Sequence, residues 1–133
     1  MKKSIFCLLV LWVLIALTGC VNSFYFEYDD LARDVEKAEI INLDKNHTID
    51  EDIEVVHTLT YDETLQLLSE LSKIEYKNTP LGPGMPPTPL GLCIRVWYSD
   101  GRYEIYGSSG TTTAWGECEK DVFDSLIEKY MVS

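Results

Sequence analysis

The sequence predicts an α+β domain, an antiparallel sheet of about five strands with two amphipathic helices packed on one face. Three observations carry that reading. Asp100-Gly101 stands between two alternating runs, "LCIRVWYS" and "RYEIYG", the pattern of a tight hairpin. Leu67, Leu68, Leu71 and Ile74 recur at helical spacing, and so do Val122, Phe123, Leu126, Ile127 and Tyr130. Two further runs, 35–43 and 53–59, alternate apolar and polar residues as half-buried strands do.

Taken in order, the chain opens with Lys2 and Lys3. An uncharged apolar run over 5–17 follows, the length of a secretory signal's core and short for a membrane span. Leu17-Thr18-Gly19-Cys20 comes next. These four residues resemble the lipobox of bacterial prolipoproteins, with Leu at the third position before the cysteine and small residues beside it. The resemblance implies a diacylglyceryl group on the Cys20 sulfur, cleavage just before Cys20 and acylation of the new amino end, as by palmitate. Two or more acyl chains, at about 0.8 kcal/mol per buried methylene, hold a protein durably at a bilayer where one chain is marginal. The implied organisation is a signal peptide over 1–19, a short membrane-proximal segment over 20–30 and one α+β domain over 31–133. The implied place is the extracytoplasmic side of a cell membrane, and Val21 does not discriminate inner from outer.

The mature segment begins abruptly. Phe24, Tyr25, Phe26 and Tyr28 fit a lipid interface, where aromatic rings collect, and equally fit the first packed stretch of the domain. "DDLARDV" suits one helical turn, and "DKNHTIDED" is an acidic loop between the first two long strands. Thr60 and Glu63 form a capping box ahead of the leucine-rich helix. The stretch 77–91, "KNTPLGPGMPPTPLG", holds all five prolines and reads as a long loop with overlapping PxxP spacing. A two-residue type I′ turn at Asp100-Gly101 sets Tyr98 opposite Tyr103, Trp97 opposite Glu104 and Arg95 opposite Tyr106. Leu92, Ile94, Val96, Tyr98, Tyr103 and Ile105 then share the core face, and Arg95, Trp97, Glu104 and Tyr106 share the other. "TTTAWGEC" fits a further strand, and "EKDVFDSLIEKYM" closes the chain as a helix. The leucine-rich helix, the "YSDGRYEI" hairpin and the closing helix together resemble small uncharacterised bacterial lipoprotein domains, a resemblance that implies no activity.

Composition bounds the function. The signal takes two lysines and no acid, leaving 114 residues with nine basic against 22 acidic side chains, a net charge of −13 with histidines neutral. Such a chain repels nucleic acid and anionic lipid alike, so membrane attachment rests on the acyl chains at Cys20. Of four cysteines, Cys7 leaves with the signal and Cys20 carries lipid. Cys93 and Cys118 remain as an even pair in an oxidising compartment, where a disulfide contributes about 3 kcal/mol by chain entropy; two free thiols are the alternative.

Chemical motifs are thin. Asp44, Asn46, Thr48, Asp50 and Asp52 alternate loosely like a calcium loop, but Ile49 stands where glycine is needed and Val55 where a bidentate Glu is needed. His47 and His57 are too few for zinc and lack a sequence-visible partner for acid–base work. "GSSGTTT" lacks the Gly-Lys-Ser/Thr ending of a phosphate loop. Neither a metal, a cofactor nor an enzymatic activity is therefore implied. The expectation is a membrane-anchored, non-enzymatic binding or accessory module with a protein partner, meeting it through Arg95, Trp97, Glu104 and Tyr106. The second reading is an inhibitor or immunity-type protein whose acidity blocks a basic site on an enzyme. The sequence carries no signal for oligomeric state.

Overall fold

The computed structural model describes residues 23–43, 53–78, 89–114 and 116–131. The strands are β1 (Ser23–Phe24), β2 (Val35–Leu43), β3 (Glu54–Thr58), β4 (Tyr76–Asn78), β5 (Gly91–Tyr98), β6 (Tyr103–Tyr106) and β7 (Gly116–Glu117). The helices are α1 (Tyr28–Ala32), α2 (Tyr61–Leu71) and α3 (Lys120–Met131). The architecture is α+β, as expected, but the strands divide between two antiparallel sheets. A larger one runs β3-β2-β5-β6 and a smaller one β1-β4-β7. The single sheet of about five strands is corrected on this point. The short strands β1 and β4 have no alternating pattern long enough to read, and exist because each pairs with chain distant in sequence.

Helix α2 starts where the capping box places it. The Thr60 hydroxyl accepts from the Glu63 backbone N–H at 3.2 Å, and the Glu63 carboxylate accepts from the Thr60 N–H at 3.1 Å. Its leucines Leu67, Leu68 and Leu71 are fully buried. The buried Thr64 hydroxyl donates to Thr60 O at 2.8 Å and accepts from the Ala38 N–H at 3.1 Å, bolting α2 to β2. Beside it, α3 buries Phe123, Leu126, Ile127 and Tyr130, while Val122 of the expected stripe faces solvent. The two helices lie on one face of the larger sheet, over Ala38 and Ile40 of β2 and Ile94 and Val96 of β5.

The smaller sheet closes one end of this core. Tyr76 of β4 is fully buried, stacked on Phe24 at 5.8 Å and edge-on to Phe26 at 5.0 Å, and Phe26 meets Tyr106 edge-on at 5.1 Å. The aromatic segment that fitted either lipid or core thus divides. Phe24 and Phe26 turn inward; Tyr25 and Tyr28 are exposed. The strand expected in "TTTAWGEC" shrinks to β7 and joins this smaller sheet, with an isolated bridge from Thr111 to Tyr106.

The hairpin forms, but not with the expected turn. The Tyr98 N–H donates to Arg102 O at 2.9 Å and the Gly101 N–H to Tyr98 O at 3.0 Å, while Gly101 adopts φ +88°. This is a type I turn followed by a left-handed glycine bulge, a longer loop than the type I′ alternative. The register becomes Trp97↔Tyr103, Val96↔Glu104, Arg95↔Ile105 and Ile94↔Tyr106. One residue of slip turns every β6 side chain to the opposite face. Glu104 and Tyr106 therefore leave the face of Arg95 and Trp97, and Tyr103 and Ile105 join it.

Candidate functional site

The outer face of the larger sheet holds a compact polar cluster. Neighbouring positions on β2, β5 and β6 bring together Lys37, Glu39, Arg95, Trp97 and Tyr103. Glu39 Oε1 accepts from Arg95 Nε at 3.1 Å and from Trp97 Nε1, and Arg95 Nη2 lies 3.0 Å from the same oxygen. The ion pair is withdrawn from water, with the Glu39 and Arg95 side chains 8% and 12% exposed. The Arg95 guanidinium carbon sits 4.9 Å from the Trp97 ring centre and 5.5 Å from that of Tyr103. The two rings tilt against each other at 4.9 Å, and Lys37 Nζ approaches Trp97 at 5.9 Å. A cation packed against two adjoining aromatic rings, fixed by a buried carboxylate, is a rigid arrangement. Further along the same face Ile41, Leu43, Cys93 and Ile105 form a second buried apolar cluster.

Sequence reasoning found Arg95 and Trp97 but missed Glu39, Lys37 and Tyr103. Glu39 reads as an ordinary outward residue of an alternating strand. Only the β2–β5 register, which sets Glu39 beside Arg95, reveals it.

Glu104 and Tyr106 line a different feature. A cleft of about 550 Å³ opens between the segment from Tyr25 to Asp34 and the hairpin. Buried Leu31 and Tyr106, half-buried Phe26 and Tyr98, and exposed Tyr25 give it an apolar and aromatic lining. Glu27, Asp30, Asp34, Asp100 and Glu104 bring carboxylates, and Arg33 and Arg102 bring the two cations. Arg33 pairs with Asp30 at 3.6 Å and Arg102 with Asp100 at 2.5 Å. Glu104 Oε2 accepts from the Thr112 hydroxyl at 2.6 Å. The Tyr98 and Tyr106 side chains are neighbours, and burial pushes both phenols up, with the Glu104 charge adding to the effect. Asp34 sits in the left-handed region at φ +56°, a conformation Asp tolerates better than most residues, and its carbonyl accepts from the Ser99 N–H at 2.8 Å. That bond ties the α1–β2 turn to the hairpin tip across the cleft.

Cys93 and Cys118 are free thiols, so the expected disulfide between them is absent from this structure. Their neighbours differ. Cys93 is fully buried with Sγ 3.6 Å from Leu90 O, and burial pushes its thiol up to about 12. Cys118 is half-buried in a hollow of about 420 Å³ beside Glu75, Lys77 and Val122. It neighbours Tyr76, whose hydroxyl donates to Gly107 O at 3.0 Å.

His57 lies on β3 opposite Ile40, and its Nε2 is buried without a hydrogen-bond partner among the described residues. His47, the acidic 44–52 stretch and most of the proline-rich loop lie outside the described residues, as does Cys20. Among the described residues no cluster of His, Cys, Asp and Glu is arranged to hold a metal ion, and no helix is long and apolar enough to cross a membrane. Compared with family models, with characterised proteins and with solved structures, the chain matches none.

Proposed function

We propose that this protein is a lipid-anchored extracytoplasmic binding or accessory module, non-enzymatic, which meets a protein partner through the outer sheet face around Trp97. The observation that supports it is the Arg95 guanidinium packed against the adjoining rings of half-buried Trp97 and Tyr103 and fixed by Glu39. Trp, Tyr and Arg are the residue types that dominate interface energetics. A cluster already held in one geometry loses little side-chain freedom on association. Cys20, in its lipobox setting, supplies the anchor.

A photo-crosslinking residue at Tyr103, in cells carrying the full chain, gives a discrete adduct, and the same residue at exposed Glu128 on α3 gives none. Equal adducts from both positions, or none from either, remove the sheet face as the contact. The mass of the native product checks the anchor separately: Cys20 as first residue, with acyl mass. Met1 as first residue removes it.

The net charge of −11, −13 once the expected signal is removed, and the acidic cleft favour a second reading, an inhibitor or immunity-type protein facing a basic site. Salt distinguishes the two. Affinity through the aromatic cluster changes little between low and high ionic strength, whereas acid-driven inhibition weakens steeply.

A further inference from the structure

We propose that the cleft between the α1 segment and the β5–β6 hairpin binds an organic cation, an alkylguanidinium or alkylammonium group, with the charge against Asp34 and Glu104 and the hydrocarbon against Tyr98. This site is separate from the sheet face and depends on neither the lipid anchor nor Trp97.

Shape comes first. At about 550 Å³ the cleft falls within the range of small-ligand sites, and its lining joins aromatic rings to a few polar groups, as such sites do. Charge gives the sign. Both guanidiniums of the lining are already paired, Arg33 to Asp30 and Arg102 to Asp100. Glu27, Asp34 and Glu104 have no ion-pair partner among the described residues. An anion entering here meets uncompensated negative charge. A neutral guest strips water from those carboxylates without replacing the lost solvation. A cation compensates them.

The rings decide what kind of cation. A small hard ion needs several oxygens converging on one point, and the described residues offer no such cluster. A guanidinium or ammonium on an alkyl stem uses what is present. Its charge is attracted by the carboxylates on either side, close to where Arg102 already lies 6.0 Å from the Tyr98 ring centre, and its methylenes cover the apolar lining. The phenols are suited to stay neutral, since burial raises both Tyr98 and Tyr106. The cleft is also braced across its width by the Ser99 N–H to Asp34 carbonyl bond, so the two walls keep their spacing without a ligand.

The group can arrive as a free small molecule or as an arginine or lysine side chain on a polypeptide. Four probes separate these sources from one another and from a plain field effect. The full chain in neutral detergent micelles is titrated with N-acetyl-argininamide, with N-acetyl-citrulline amide, which matches its shape without the charge, with the blocked tripeptide acetyl-Gly-Arg-Gly-amide, and with its citrulline counterpart. Amide chemical shifts report the place and calorimetry the affinity. The expected result is saturable binding of an arginine probe with shifts confined to Asp34, Ser99, Glu104 and their neighbours, and no binding of the citrulline probes. The small amide binding as well as the tripeptide identifies a free molecule as the source; tighter binding of the tripeptide identifies a polypeptide.

The variant Asp34→Asn with Glu104→Gln lowers affinity about tenfold, each exposed charge contributing a fraction of 1.4 kcal/mol. Both changes are suited to keep the fold: Asn adopts the left-handed region, and Gln still accepts from Thr112. The control Glu117→Gln with Glu119→Gln removes equal charge elsewhere and leaves affinity within twofold. Three results overturn the proposal: citrulline probes binding as well as arginine probes, shifts scattered over the acidic surface, or the control weakening binding as much as the cleft variant. Retained amide dispersion in both variants shows that the comparison is between folded proteins.

Discussion

Glu39 is held on the outer sheet face by Arg95 and Trp97, and its carboxylate is almost entirely out of water. At the scale of single residues this pair carries the largest consequence. Arg95→Met leaves a buried carboxylate with one indole donor, and breaking such a pair from one side destabilises by about 3–5 kcal/mol. The double variant Glu39→Met with Arg95→Met removes both charges and recovers most of that loss, because desolvation of the pair offsets much of its attraction. Urea unfolding of the two variants checks this; a single variant as stable as the parent refutes the buried-pair account. The thiols give a second residue-scale expectation. Native protein prepared without reductant reacts with a thiol reagent at half-buried Cys118 and resists at buried Cys93, and both react after unfolding. Fewer reactive thiols after unfolding would mean that the two sulfurs are bonded. Neither partner of Glu39 could be read from local sequence, because the contacts span 56 and 58 residues.

At the scale of elements, α2 and α3 are clipped together at their ends by Glu70, which accepts from Tyr130 at 2.6 Å and from Lys129. Burial alone pushes the Glu70 carboxyl up. Hydrogen bonds from Lys129 and Tyr130 and the charges of Lys129 and Lys73 outweigh it, so the net shift is downward. A depressed folded-state value means stability that is present above the ordinary glutamate range and lost as pH falls through the folded value. Urea midpoints measured from pH 7 downward therefore fall on acidification, and Glu70→Gln flattens part of that fall; an unchanged slope counts against the clip. The hairpin turn makes its own demand. Gly101 at φ +88° is left-handed, so Gly101→Ala destabilises by about 1 kcal/mol and Gly101→Asn by less. The helices and long strands were legible because their signals are local. Strand β2 runs over the expected Val35–Leu43, although a bulge between Val35 and Lys37 breaks its alternation and both of its faces are buried, and α2 begins at its capping box. The turn type was not, because Asp-Gly serves a type I′ turn and a type I turn with a glycine bulge alike, and the choice flips a whole strand.

At the scale of the whole molecule, the smaller sheet is held together by a close approach between its two outer strands. A Cβ at Gly116 would lie 2.7 Å from the Phe24 ring and 3.0 Å from Lys77 O, so only glycine lets β1 and β7 flank β4. Gly116→Ala destabilises by about 1–3 kcal/mol through overpacking, and the penalty shrinks in a Phe24→Leu background, where the ring is gone. Additive effects of the two changes would show that the ring does not set the contact. Phe24 takes the packed one of the two places its sequence fitted, helping to seal the core's end beside Tyr76.

The sequence by itself determined the α+β class, the two amphipathic helices, the long strands and the presence of the hairpin. Each of these follows from patterns and caps within a dozen or so neighbouring residues. Tertiary structure alone decided the division into two sheets, the hairpin register, the partners of Glu39 and the opening of the cleft beside α1. Three of these depend on pairing between segments far apart in the chain and the hairpin register on a turn choice that Asp-Gly leaves open; in each case several arrangements satisfy the local rules equally. Burial of the whole core selects one of them.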